Sequence, residues 1–296
     1  MTLKEIVGRA GEGFDGKLGI SVKHLGSGES ASLNGDEPFP TASVFKVPVI
    51  VELYRQVEAG KRSLDEKIVL MESDKVPGSG ILRELSEGLR LSVRDLVELM
   101  MILSDNTATD LLVEKVGMDN VNSTLRSLGL KRTTFVADCR DILFDLIGQS
   151  ELTEEEKTMK NYREKAGQPH KGASWSLGVE RNDVTTPNEM ARLIEMIVVG
   201  KAAGRDSCDA ILATMRRCQT GGYRIAKYLP RSEIEFAHKT GSLSGIRNDA
   251  GVITIKGTGE MYVISCFTKG AADVYEAEEV IAKASKEVFD YFKNRD

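Results

Sequence analysis

What most constrains this chain is the order in which its residue patterns come. Near the start, "KLGISVKHL" alternates and is rich in β-formers, "GSGE" reads as a turn, and "SASLNGD" returns as an antiparallel partner. After Arg231 three more strands follow, "EIEFAHKTG", "NDAGVITIKG" and "GEMYVISCFTKG", cut apart by glycine-rich turns. Between the two groups the pattern is helical. "SVFKVPVIVELYRQVEAG" closes on Gly60, "SVRDLVELMMIL" opens with a serine cap, and "TATDLLVEKVG" ends on glycine. "TPNEMARLIEMIVVG" places a threonine cap before a proline, and "ADVYEAEEVIAKASKEVFDYFKNR" is a last helix with one apolar face. The fold class is therefore α+β, an antiparallel sheet of N- and C-terminal strands packed with helices beside a mostly helical subdomain. Residues 1–42 and 219–296 form the sheet-bearing part and residues 43–218 the helical one, with a cleft between them as the natural place for a site.

One stretch fits neither pattern. From Arg140 to Asp183 the chain has no core periodicity; "LTEEEKTMKNYREKA" reads as an exposed charged helix and "GQPHKGASW" as loop. A connection this long is usually functional. Trp175, inside it, is assigned to packing.

Composition removes several function classes. At 296 residues, 41% hydrophobic and 29% charged, the chain can bury a sizeable core. A net charge of −5 speaks against a nucleic-acid partner, and no apolar run approaches the roughly 18 residues of a membrane span. "MTLKEIVGRAGEGFDG" carries no apolar leader, so a native Met1 implies a cytoplasmic protein, and a removed leader a periplasmic or secreted one. Cys139, Cys208, Cys218 and Cys266 follow no zinc or disulfide spacing and read as scattered reduced thiols, Cys266 as core. No metal and no cofactor is expected. Gly11, Gly13 and Gly16 form a G-x-G-x-x-G, but a helix precedes it and a strand follows, the reverse of a dinucleotide site. Nothing sets His24, His170 or His238 opposite a serine, which excludes a Ser-His-Asp arrangement.

Three short motifs remain. Ser43 and Lys46 form an S-x-x-K, Ser104-Asp105-Asn106 lies at a helix junction, and Lys239-Thr240-Gly241 ends a strand. Average composition yields roughly one S-x-x-K by chance in a chain this long, and each of the others in about one such chain in ten to thirty. Their joint occurrence in these contexts is the signal. A serine hydroxyl needs a neighbouring base to attack, and positions i and i+3 share a helix face, so Lys46 can hydrogen-bond Ser43. Burial among other cations helps Lys46 lose its proton. Ser43 at a helix start places its N–H where an oxyanion can be held, with Ser242 N–H as second donor. Ser104 relays a proton to the leaving group, Asn106 holds Lys46 or the substrate amide, and Lys239 and Thr240 bind a substrate carboxylate. Asp105 is assigned a structural role.

This set resembles that of the penicillin-recognising serine acyltransferases, and class A β-lactamases most of all. "DVTTPNEMA", from Asp183 to Ala191, is similar to the segment that closes that family's Ω-loop, and "RNDAGVI" to the strand after K-T-G. The resemblance covers nearly the whole chain. It implies an Ω-loop at 140–183 and an Arg140–Asp183 pair across the loop base; Arg247 is a candidate for a further carboxylate contact, with a plain surface arginine as the equal alternative. It also implies the activity: a serine hydrolase that forms an acyl-enzyme on Ser43, hydrolysis of β-lactams being the leading expectation. An amidase, esterase or peptidase with the same machinery is the rival, and a non-catalytic binding domain a third reading. The partner expected is a small amide or β-lactam. One departure bears on turnover. The family's E-x-x-L-N motif, whose glutamate activates the deacylating water, does not occur between Arg140 and Asp183. Asp141, Asp145, Glu151 and Glu180 are the candidates to replace it.

Overall fold

The computed structural model describes residues 1–166 and 181–295. Helix α1 (Leu3–Arg9) is closed at its start by a Thr2–Glu5 capping box and precedes strands β1 (Lys17–His24) and β2 (Ser30–Leu33). A two-residue strand, β3 (Phe39–Pro40), leads through a 3₁₀ turn at Ala42–Phe45 into α2 (Lys46–Glu58). A small hairpin, β4 (Lys67–Val69) and β5 (Arg90–Ser92), precedes α3 (Val93–Ile102), α4 (Asn106–Val116) and α5 (Met118–Ser127). Next come α6 (Cys139–Leu146), α7 (Met159–Ala166), β6 (Val184–Thr185), α8 (Pro187–Val198) and α9 (Arg205–Met215). The chain finishes with β7 (Ile234–Leu243), β8 (Ile246–Ile255), β9 (Met261–Lys269) and α10 (Val274–Lys293).

The five long strands form one antiparallel sheet in the order β2-β1-β9-β8-β7, so strands from both ends of the sequence do meet. Lys17 pairs with Lys269 and His24 with Tyr262. Because side chains alternate along a strand, β7, β8 and β9 each feed two cores. Ile264 and Cys266 of β9 join Ile20 and Val22 of β1 against α1 and α10, where Phe289 and Phe292 are buried. Val263 and Phe267 point the other way, into the helical cluster around α2 and α8.

Helix α2 is buried on nearly every side, and its Val and Ile content lowers its intrinsic helix preference. Packing decides its conformation instead, as expected for a helix buried on most of its faces. Pro48 is accommodated because it sits in the first turn, where no intrahelical donor is lost. Helix α8 begins as its sequence indicates, with Thr186 Oγ1 accepting from Glu189 N at 3.2 Å and Pro187 at the first position.

The stretch after Arg140 is more ordered than its sequence pattern indicates. Helix α6 occupies residues 139–146, started by the Asp138 side chain and by Asp110, which accepts from Cys139 N and Arg140 N at 2.9 Å each. Ile142, Phe144 and Ile147 bury themselves below it, an apolar spacing too short to register as a periodic run. The charged helix expected over "LTEEEKTMKNYREKA" is confined to Met159–Ala166. His170, Trp175 and Glu180 lie outside the described residues. Among the described residues no helix is long and apolar enough to cross a membrane.

Candidate functional site

The 3₁₀ turn that carries Ser43 is pressed against the sheet. Asn248 on β8, fully buried, donates to Pro40 O at 2.8 Å and Thr41 O at 3.0 Å. Gly241 on β7 permits this approach, since a Cβ there would lie 2.5 Å from Thr41 O and 3.1 Å from Ser43 N. Ala42, directly before Ser43, is held at φ 43°, a left-handed conformation that costs an alanine about 1–2 kcal/mol. Strain of this kind is retained where the surroundings dictate the backbone.

Ser104 occupies a second left-handed position, φ 58°, between α3 and α4. Asp105 fixes this junction. Its carboxylate caps α4 through Ala108 N at 2.9 Å and accepts from Ile81 N and Leu82 N at 2.6 and 2.9 Å, which is the structural role expected of it. Asn106 donates to Pro77 O and accepts from Lys46 Nζ at 2.9 Å.

Lys46 and Lys239 are both fully buried and converge here. Lys46 Nζ donates to Ser104 O at 2.8 Å, Ser104 Oγ at 3.1 Å and Asn106 Oδ1. Lys239 Nζ donates to Ser104 Oγ at 3.0 Å and to Thr240 O at 2.8 Å. The expected Lys46–Ser43 hydrogen bond is not formed: Lys46 Nζ lies within hydrogen-bond distance of Ser104 O, Ser104 Oγ and Asn106 Oδ1 instead. Burial pushes the Lys46 amine below its ordinary range, against the pull of Cys139, Asp110 and Asp105. Burial, with the nearby charges of Lys46 and Arg224, brings Lys239 down to about 7.

Ser43, Ser104, Asn106, Thr240 and Ser242 line one cavity of about 220 Å³. The sequence-predicted residues are therefore brought together, with one exception. Arg247 turns away, its guanidinium donating to Leu243 O and Ile246 O at 3.0 and 2.8 Å and pairing with Glu278 at 3.3 Å. The arginine that does reach the cavity is Arg224, in the loop after α9. It donates to Gly241 O at 3.0 Å, Asn248 O at 2.8 Å and Ser242 Oγ at 2.5 Å, and pairs with Glu278. No motif marks Arg224, because a loop arginine has no local signature and only the folded chain shows what it faces.

The remaining departures concern carboxylates. Arg140 does not pair with Asp183; its guanidinium donates to Ser73 O at 2.7 Å. Asp183 instead accepts from Val136 N at 2.8 Å and Ala137 N at 3.2 Å, and burial holds its carboxyl well above the usual range. Of the candidate bases, Asp141 pairs with Lys157, Asp145 pairs with Arg181, and Glu151 is exposed. None of the three lines the cavity of Ser43, whose wall on that side is Cys139, Ile142 and Leu143.

Comparison with known proteins agrees with this architecture. A sequence profile described as the β-lactamase enzyme family matches residues 2–292. β-Lactamase VEB-1 of Pseudomonas aeruginosa is 25% identical over 291 residues, which cover 94% of this chain and 86% of that protein. A β-lactamase structure from Sphaerobacter thermophilus superposes with a TM-score of 0.79 at 33% identity, covering 99% of this chain and 98% of that one. The structure of PBP-A shares the fold at 23% identity, with a TM-score of 0.80 over 99% of this chain and 96% of its own. A match that spans almost the full sequence, on a sheet and helices arranged as described, places this chain in the β-lactamase enzyme family.

Proposed function

We propose that the protein opens β-lactam rings by acylation of Ser43. The observation that carries this reading is the meeting of Lys46 and Lys239 on Ser104 Oγ, in the cavity that Ser43 lines. Ser43 Oγ attacks the lactam carbonyl and its proton passes to Lys46, whose burial favours the neutral amine. Ser43 N–H and Ser242 N–H hold the oxyanion. Ser104, bridged to Lys46, returns the proton to the departing lactam nitrogen. Lys239 and Arg224 supply positive charge beside Thr240 for a carboxylate on the substrate, Arg224 through its charge and its hold on Ser242 Oγ, since its N–H groups are taken by Gly241 O, Asn248 O, Ser242 and Glu278.

Release of the ester is the slow step in this scheme. No carboxylate lines the cavity among the described residues, and Ile142 and Leu143 stand as its apolar wall. The same wall favours a second reading, in which the natural substrate is another amide or ester and β-lactams acylate Ser43 with little turnover.

Incubation with a chromogenic cephalosporin and with a penicillin, read by absorbance and intact mass, tests both. Turnover that disappears in Ser43→Ala supports β-lactam hydrolysis, and a persistent adduct on Ser43 supports the second reading. No adduct with any lactam or activated ester would overturn the acyl-enzyme itself.

A further inference from the structure

The β1–β2 edge of the sheet has one face that no apolar core fills. Leu18, Ile20 and Val22 of β1 point into the core under α1 and α10. Gly19, Ser21 and Lys23 alternate to the other side, towards α8. A Cβ on Gly19 would lie 2.8 Å from Pro187 Cγ, and Lys23 reaches Glu195, both on α8. Directly paired residues of antiparallel strands share a face. Ser32 of β2, Ser21 of β1 and Ser265 of β9 therefore stand in one row across three strands.

The three hydroxyls of that row differ in what they meet. Ser265 Oγ donates to Pro187 O, in the first turn of α8, at 2.6 Å. Ser32 is exposed. Ser21 is only 7% exposed, yet its hydroxyl has no hydrogen-bond partner among the described residues. Buried polar groups are normally partnered, so the space that Ser21 faces is where its partner comes from.

That space is a groove of about 610 Å³ between β1, β2 and α8, within the range of about 300–1,000 Å³ usual for small-molecule sites. Ser30 and Ser32 form its β2 wall, and Asn188 stands on the α8 wall. Asn188 donates to Asp36 at 3.2 Å, which leaves its amide oxygen unused. Lys23 and Glu195 pair across the groove at 2.6 Å and cancel each other's charge. Two more cations line it, Lys4 from α1 and Arg192 from α8. Neither has a hydrogen bond or ion pair among the described residues. The nearest other carboxylate on α1, Glu5, is held in the Thr2 capping box. On a chain of net charge −5, this groove keeps two uncompensated positive charges beside a row of hydroxyls.

Such a lining selects its ligand by two features. Serine hydroxyls and an amide oxygen can both give and take hydrogen bonds with a polyol. Two cations from opposite walls match a dianion, and a phosphate monoester carries nearly two charges at pH 7 with three acceptor oxygens. We propose that this groove binds a sugar phosphate, its phosphate between Lys4 and Arg192 and its hydroxyls on Ser21, Ser32 and Asn188. None of these residues lines the Ser43 cavity, so the site is separate from acylation and does not depend on it.

Calorimetric titration of the full chain with glucose 6-phosphate, in about 50 mM salt, tests the site. One-site binding with a Kd of about 1 mM or tighter is expected, weakened severalfold in about 300 mM salt. Glucose and inorganic phosphate each carry half of the ligand and are expected to bind roughly tenfold or more weakly. Ser21→Ala is expected to weaken binding of the ester by about three- to tenfold, and Arg192→Ala by about tenfold or more. Arg192 is exposed, so its variant decides the matter even if Ser21→Ala folds poorly. No saturable heat up to about 10 mM ester overturns the site. Binding that well-folded variants leave unchanged places the ligand elsewhere, the Lys239 cavity included, and overturns it equally. Inorganic phosphate or glucose binding as tightly as the ester overturns the sugar phosphate as the ligand class.

Discussion

Lys46 and Lys239 reach one oxygen from opposite halves of the fold, Ser104 Oγ, at 3.1 and 3.0 Å. A hydroxyl between two buried amines accepts from both, so its own proton is free to point at the substrate. Ser104 thus links the Lys46 side to a leaving group on the Lys239 side for the passage of a proton. Ser104→Ala is expected to slow acylation of Ser43 by about 10²- to 10⁴-fold, the usual worth of a positioned proton donor. Lys46 would keep its bonds to the residue 104 carbonyl and Asn106, so the circular dichroism spectrum should be unchanged. Stopped-flow acylation with an intact-mass endpoint makes the measurement, and a loss below about threefold would remove Ser104 from the relay.

Arg224 and Arg247 share Glu278 as partner, yet only Arg224 lines the cavity. Arg224→Ala is expected to raise KM for a carboxylate-bearing lactam by about 10- to 100-fold, through loss of the buried charge and of the bond that orients Ser242 Oγ. Arg247→Ala is expected to change it by less than about threefold. The reverse ranking in steady-state or adduct-titration data would return the role to Arg247.

Turnover tests the apolar wall. Ile142→Glu introduces a carboxylate where the cavity now has a hydrocarbon, and a buried carboxyl with a raised pKa is suited to take a proton from water. The adduct on Ser43 is expected to be lost about tenfold faster than in the parent protein. Time-resolved intact mass follows this; an equal lifetime would place the attacking water on another face.

Lys239 gives the cleft a pH dependence. Its ammonium is complete well below about 7 and is lost as pH rises through that value. Acylation by a carboxylate-bearing substrate should therefore fall from pH 6 towards pH 9, while the methyl ester of the same substrate shows a flatter profile. The linked stability has the opposite slope. The unfolded chain holds this proton up to the ordinary lysine value of 10.5, so between about 7 and that value the unfolded state binds more protons. In that window Lys239 makes stability rise with pH. Lys239→Met should remove both trends; parallel profiles for acid and ester would assign the effect to another group.

The sheet, the terminal helices and most of the site were legible because their signals are local. Alternation marks β1, caps mark α3 and α8, and three motifs mark Ser43, Ser104 and Lys239. What escaped depends on contacts between distant residues. Arg224 reads as a loop residue until Gly241 O and Asn248 O are seen to receive it. His238 and Asp249 lie eleven residues apart in sequence, and the β7–β8 register brings them within hydrogen-bond distance. Arg140 misled because a motif position implies a partner, while Asp183 Oδ1 accepts from the Val136 and Ala137 N–H groups and Arg140 reaches Ser73 O instead. The stretch around Arg140 hid α6 because its helix start is capped by Asp110, about thirty residues upstream.

The pairing of Lys17 with Lys269 sets a clock on biosynthesis. Strand β1 emerges early, but the strand it must pair with follows about 250 residues later. At about 5–20 residues per second, β1 and β2 wait roughly 10–50 s with Ile20 and Val22 uncovered. Through that interval the early hairpin depends on whatever shields it in the cell, while the helices from α2 to α9 can already gather. Ser43, whose turn is fixed by Asn248 and Gly241, gains its geometry only when the last strands arrive. Nascent chains stalled before β8 should therefore carry the nucleophile in their sequence and remain inert towards a lactam.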